Sequence, residues 1–131
     1  MEKVIWILGS TTFASLGVIH LMYTFFSDKF SSRNDDLVKA MKSSSIILSN
    51  ETTVWKAWIG FNASHSAGAI FIGIVNIHLA LFYFELFGFF LFSINIITVL
   101  FYLWLAKNYW FKVPFLGILF TLICYITAII I

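Results

Sequence analysis

Three stretches of this chain, Val4 to Ser27, Ala57 to Phe84 and Val113 to Ile131, contain no Asp, Glu, Lys or Arg. Each is long enough, or nearly so, to span a hydrocarbon core of ~30 Å as a helix. A fourth, Leu86 to Ala106, follows the second across Glu85, with Gly88 close to its start. A bilayer interior offers no water to backbone N–H and C=O groups, and these runs lack the polar alternation of barrel strands, so each is expected to be helical. The expected fold class is therefore an all-α integral membrane protein, a four-transmembrane-helix bundle. Its helices fall near Val4 to Phe26, Thr53 to Phe84, Leu86 to Ala106 and Val113 to Ile131, and residues 1–131 form a single domain. Composition points the same way, with 61% hydrophobic and 11% charged residues, where a soluble domain carries about 25% charged.

Lys3 ahead of an apolar run looks like a secretory signal, but the run exceeds the ~7 to 15 residues of a signal core and is not followed by a small-x-small cleavage site leading into a soluble domain. It is expected to be retained as a helix. The one cysteine, Cys124, lies in the last apolar run, so no disulfide within the chain can form and a buried, inert thiol is expected.

Lys29, Arg33, Lys39, Lys42 and Lys56 lie in or beside the first loop and Lys107 and Lys112 in the third, against Lys3 alone on the other side. The positive-inside rule then places loops one and three in the cytoplasm, with both termini and the turn at Glu85 to Gly88 outside an inner (cytoplasmic) membrane. Trp55, Trp58, Trp104, Trp110 and Tyr109 would form the cytoplasmic aromatic belt, and Trp6 a sparse outer one. The Asn50-Glu51-Thr52 and Asn62-Ala63-Ser64 sequons would escape glycosylation, one being cytoplasmic and the other inside a helix.

The first loop, Ser27 to about Thr53, is the only substantial segment outside the apolar runs. Ser32 to Asp35 has the form of a capping box, and Leu37, Val38 and Met41 opposite Lys39 and Lys42 predict a short amphipathic helix on the membrane surface. Asp28, Asp35, Asp36 and Glu51 balance the bases, which argues against a nucleic-acid partner.

At ~100° per residue, Trp58, Asn62, His65, Ala69, Gly73 and Asn76 share one stripe of the second helix, beside a small-residue ladder of Gly60, Ser64 and Gly68. Such ladders are packing devices, so this one is the leading surface for any homo-oligomer. On the first helix, His20 shares its stripe with Gly9, Phe13, Leu16, Gly17 and Thr24. His20 lies seven residues before Ser27, and His65 seven after Trp58. Both imidazoles are thus expected roughly 10 Å below the cytoplasmic interface, on helices joined by one loop and hence neighbours. His78, thirteen residues beyond His65, lies ~20 Å further along the axis, where a structural or snorkelling role is expected. Counting depth on the other helices adds Thr98 and Tyr102 on the third and Thr121 and Tyr125 on the fourth, with Asn95 on the face of Tyr102.

Ionisable groups inside a membrane are functional candidates. The expected site is His20 and His65 with Asn62, Tyr102 and Thr121 lining a shared cavity. Three uses fit a histidine pair. As axial ligands they would hold a haem. As ligands to a transition metal they would need further donors, and no Asp or Glu lies at that depth. As hydrogen-bonding or acid–base groups they would serve a hydrophobic, quinone-like molecule or a proton path, which demands least of the sequence.

The segment Trp55-Lys56-Ala57-Trp58-Ile59-Gly60-Phe61-Asn62-Ala63-Ser64-His65-Ser66, with Gly17-Val18-Ile19-His20-Leu21 before it, resembles an uncharacterised family of small bacterial four-helix membrane proteins. The resemblance covers about two-thirds of the chain and implies the same topology and the same two histidines, without an activity. In size and helix count the chain is also similar to the DoxX-like group. No nucleotide loop, nucleophile triad, zinc-protease helix or channel filter is present. The favoured expectation is a binding or redox module for a hydrophobic small molecule, with a lipid bilayer as its setting. An oligomeric small transporter or channel subunit and a scaffold subunit of a larger membrane complex are the alternatives, though the paired broken helices of a transporter site are absent.

Overall fold

The computed structural model describes residues Met1–Ile131. In chain order the elements are α1 (Glu2–Phe26), α2 (Asp35–Ser43), the strands β1 (Ser45–Ile46) and β2 (Ser49–Thr53), α3 (Val54–Phe82), a 3-10 turn (Phe84–Leu86), α4 (Phe89–Tyr109) and α5 (Lys112–Ile130). Four helices, α1, α3, α4 and α5, are long and apolar enough to cross a membrane. The shortest, with 19 residues, reaches about 28 Å at ~1.5 Å per residue.

The helix ends differ from those expected from charge alone, for local reasons. Thr53 is not the first residue of α3 but its cap, its Oγ1 accepting from the Lys56 N–H at 3.3 Å, as an N-cap side chain does for the third helical residue. Between α3 and α4 the reversal takes Tyr83 to Gly88, with the Phe87 N–H donating to the Phe84 carbonyl and that of Gly88 to Leu86. The helix expected from Leu86 therefore starts at Phe89. It also continues past Ala106 to Tyr109, because a lysine marks the edge of an apolar run without ending a helix, and a base in the last turn complements the carbonyl end of the dipole. Pro114 sits in the first turn of α5, where a missing N–H breaks no helical bond.

The chain divides into two compact units. One, Gly17–Gly68, contains the end of α1, the first loop and the start of α3. The expected short helix is present as α2, but its cap is Asn34 and not Ser32: the Asn34 side chain accepts from the Asp36 and Leu37 amides at 3.0 and 3.3 Å. Ser32 instead accepts from the Asn34 amide at 3.1 Å, one step upstream. The antiparallel pair β1–β2, unexpected from the sequence, sets Ser45 opposite Thr53 and Ile46 opposite Ser49. Lys42 Nζ lies 5.1 Å from the centre of the Trp55 ring, which stacks on Trp58 at 5.5 Å.

The other unit, Met1–Leu16 with Ala69–Ile131, packs parts of all four long helices. Trp6 belongs to its centre, not to an outer aromatic belt. It is fully buried, stacked on Tyr125 at 3.9 Å and 8° and edge-on to Phe87 and Phe92. Its indole finds a buried partner, donating to Asn76 Oδ1 at 3.1 Å, which removes the reason for a tryptophan to seek the water interface. Asn76 in turn donates to Asn95 Oδ1 at 2.7 Å, linking α1, α3 and α4. On the α5 side the Ser10 hydroxyl donates to the Trp6 carbonyl at 2.8 Å, so the Tyr125 hydroxyl, 2.9 Å away, donates to Ser10. No buried side-chain N or O atom lacks a hydrogen bond.

Within the chain, close approach of backbones occurs elsewhere than at Gly60 and Ser64 of the Gly60, Ser64 and Gly68 ladder. Both of those residues are exposed, and a Cβ on Gly60 would meet nothing within 4 Å. Gly73 is the tight point: a Cβ there would lie 2.6 Å from Ala14 Cβ and 2.7 Å from the Ser10 carbonyl. Gly9 is similarly pressed, with Cys124 Cβ at 2.9 Å.

Candidate functional site

Asn62 fixes the orientation of His20 within the Gly17–Gly68 unit. Its Nδ2 donates to the Trp58 carbonyl one turn back on α3 at 2.8 Å, which leaves Oδ1 to face the His20 ring, 2.9 Å from Nε2. A carbonyl oxygen only accepts, so Nε2 carries the proton, and a neutral His20 ring has its basic nitrogen at Nδ1. The Thr24 hydroxyl donates to the His20 carbonyl at 2.8 Å, and that of Ser66 to the Asn62 carbonyl at 2.8 Å, so each hydroxyl is satisfied within its own helix.

The His65 ring lies 5.7 Å from that of His20, centre to centre, at 63°. His65 and Asn62 are three residues apart on α3 and project from adjacent turns of one face. Phe30 packs beside this pair, its ring 4.4 Å from His20 at 34° and 5.9 Å from Tyr23. The loop after α1 is held there by Lys29, which donates to the Tyr23 hydroxyl at 3.1 Å and sits 4.2 Å over its ring. Phe30 escapes sequence reasoning focused on polar groups within helices. Its one signal is that it is an isolated aromatic in the polar run Ser27-Asp28-Lys29-Phe30-Ser31-Ser32.

The structure thus brings together His20, Asn62 and His65. Thr121 and Tyr102 belong to the other unit. Thr121 is buried, and its hydroxyl points at the Gly9 and Gly117 carbonyls, both at 3.1 Å. Tyr102 is half-buried and edge-on to Phe13 at 5.0 Å. Tyr125 and Asn95 serve the network around Trp6. His78 is exposed beside Phe82 and Tyr83, with ring centres 5.0 and 5.7 Å away.

No group of three or more His, Cys, Asp or Glu side chains is placed to hold a metal ion, and two imidazoles fall short of the donor set of a closed metal site. Ligation of a haem iron through His20 Nε2 would require breaking the bond to Asn62. The arrangement is better matched to hydrogen bonding: two imidazoles of which one is held in a defined tautomer, an amide, and an aromatic wall. No family model matches the chain, and no curated protein or solved structure matches it either.

Proposed function

We propose that this chain is a multi-pass protein of the inner membrane, both termini outside, in which His20, Asn62 and His65 bind the polar head of a hydrophobic small molecule such as a quinone. Phe30 packs against the ring system of that ligand. Support for the membrane comes from the outward faces of the four long helices, where Phe25, Phe61, Phe71, Phe90, Phe101 and Ile123 are all exposed, far more apolar surface than a soluble monomer carries. Support for the orientation comes from the bases around loops one and three. The observation that carries the site is the 2.9 Å bond from His20 to Asn62 with a second imidazole 5.7 Å away, because polar groups within an apolar span are otherwise disfavoured.

The test is to purify the protein in mild detergent, record its absorption spectrum and metal content, and identify by mass spectrometry what organic solvent extracts from it. The expected result is a co-purifying hydrophobic molecule with a carbonyl or hydroxyl head, lost to a similar degree from His20→Ala and His65→Ala and little further from the double variant, since residues acting on one ligand are non-additive. His78→Ala retains it. A Soret band would replace the reading with haem, and an extract identical between wild type and the double variant would refute it.

A further inference from the structure

The connection between α4 and α5 is two residues long, Trp110 and Phe111. Beside it opens a cleft of about 260 Å³ lined by Ala106, Lys107, Trp110, Phe111, Lys112 and Phe115. Three aromatic side chains give it apolar walls, and the exposed Lys107 and Lys112 are the charged groups on its lining. Neither lysine is neutralised. The one ion pair in the molecule joins Lys39 to Asp36, and no Asp or Glu occurs after Glu85. The start of α5 adds positive potential at the same place, because its cap residue Phe111 offers no side-chain acceptor to the first amides. Two uncompensated cations over an aromatic hollow match a ligand that is anionic at one end and apolar at the other. On the reading of α4 and α5 as membrane-spanning, which this inference takes over from the proposed function, the cleft opens at the cytoplasmic interface, where anionic lipid is concentrated.

We propose that the α4–α5 cleft binds an anionic phospholipid. Lys107 and Lys112 contact its phosphate, while Trp110, Phe111 and Phe115 pack against the glycerol and upper acyl chain. Trp110 and Phe115 are half-buried and so supply a preformed wall, whereas the lysines are long enough to follow the headgroup.

Native mass spectrometry of the detergent-purified full chain, titrated with phosphatidylglycerol or phosphatidylcholine, tests the proposal. Wild type is expected to retain phosphatidylglycerol preferentially. Each of Lys107→Gln and Lys112→Gln should weaken it about fivefold, and the double variant should bind both lipids alike. Lys39→Gln with Lys42→Gln, on α2, keeps the preference. Because all four lysines are exposed, the variants should keep wild-type circular dichroism, which is checked in parallel. Equal retention of the two lipids by wild type, or an unchanged preference in the Lys107/Lys112 double variant, overturns the lipid site. Displacement by inorganic phosphate at the same concentration as the competing lipid overturns it in favour of a free anion. Alkaline carbonate extraction separates the two readings: release of the protein into the soluble fraction defeats the membrane assignment and this site together, whereas retention without lipid preference defeats the site alone.

Discussion

Replacing Gly73 and Gly60 by alanine, one at a time, isolates the packing of α1 against α3. Both glycines lie inside α3, so each substitution gains the same helix propensity, roughly 1 kcal/mol, and their difference is steric. At Gly60 the new methyl meets nothing within 4 Å. At Gly73 it lies 2.6 Å from Ala14 Cβ, 2.7 Å from the Ser10 carbonyl oxygen and 2.9 Å from the Ala14 nitrogen. Two of these atoms are backbone and the third is fixed to it, so no rotamer change relieves the overlap. To restore ordinary contact at 3.4 Å, the helices have to part by about 0.8 Å. That movement strains the 3.1 Å bond from Trp6 to Asn76 next to it. Overpacking of this kind costs about 1–3 kcal/mol, which is the expected gap between the two variants. Reversible unfolding by sodium dodecyl sulfate in mixed micelles, followed by circular dichroism, measures it. Gly60→Ala should be as stable as wild type or slightly more so, and Gly73→Ala should unfold at lower detergent fraction. Stabilities within ~0.5 kcal/mol of each other would mean that α1 and α3 do not meet at Gly73.

Asn76→Leu removes the acceptor of the Trp6 indole and the donor to Asn95 together; it should cost about 1–2 kcal/mol, and adding Asn95→Leu should cost little more, so full additivity in the same unfolding assay would contradict a linked network. Tyr125→Phe keeps the stack on Trp6 and leaves the Ser10 hydroxyl on the Trp6 carbonyl, so a loss below about 1 kcal/mol is expected, against about 3–5 kcal/mol for Tyr125→Ala. Asn34→Ala strips the cap from α2 and should destabilise that helix by about 1 kcal/mol, seen as faster hydrogen exchange over Asp35–Ser43, with Ser32→Ala milder; the reverse ranking would restore Ser32 as the cap. Tags at either end should be digested by protease added outside intact spheroplasts, and a protected C-terminal tag would invert the proposed orientation.

Much of the fold was legible because long uncharged runs leave a chain few options: Val4 to Ser27, Ala57 to Phe84, Leu86 to Ala106 and Val113 to Ile131 each contain or form most of a long helix. Helical periodicity also bears on the site: seven residues separate His20 from Ser27 and His65 from Trp58, and the two rings lie 5.7 Å apart. Local signals fared less well where two short polar residues compete for one role, as Ser32 and Asn34 do ahead of α2, because the choice depends on backbone angles that a sequence does not carry. What only the tertiary structure decided is which face of each helix meets a partner. Apolar residues occupy the outside of these helices as well as their packed faces, so no charged outer face tells the core from the outside, as it would in a water-soluble bundle. Trp6 could thus be taken for an interfacial anchor until Asn76 and Tyr125 enclosed it, and no feature of the sequence singles out Gly73, rather than Gly60, as the glycine of α3 that meets Ser10 and Ala14. The partners of a hydroxyl are likewise not carried by the sequence: that of Thr121 turns to the Gly9 and Gly117 carbonyls. Residue counting measures distance along a helix axis, whereas contact depends on how helices rotate and slide against one another, and that is settled by the steric fit of residues such as Gly73 and Gly9.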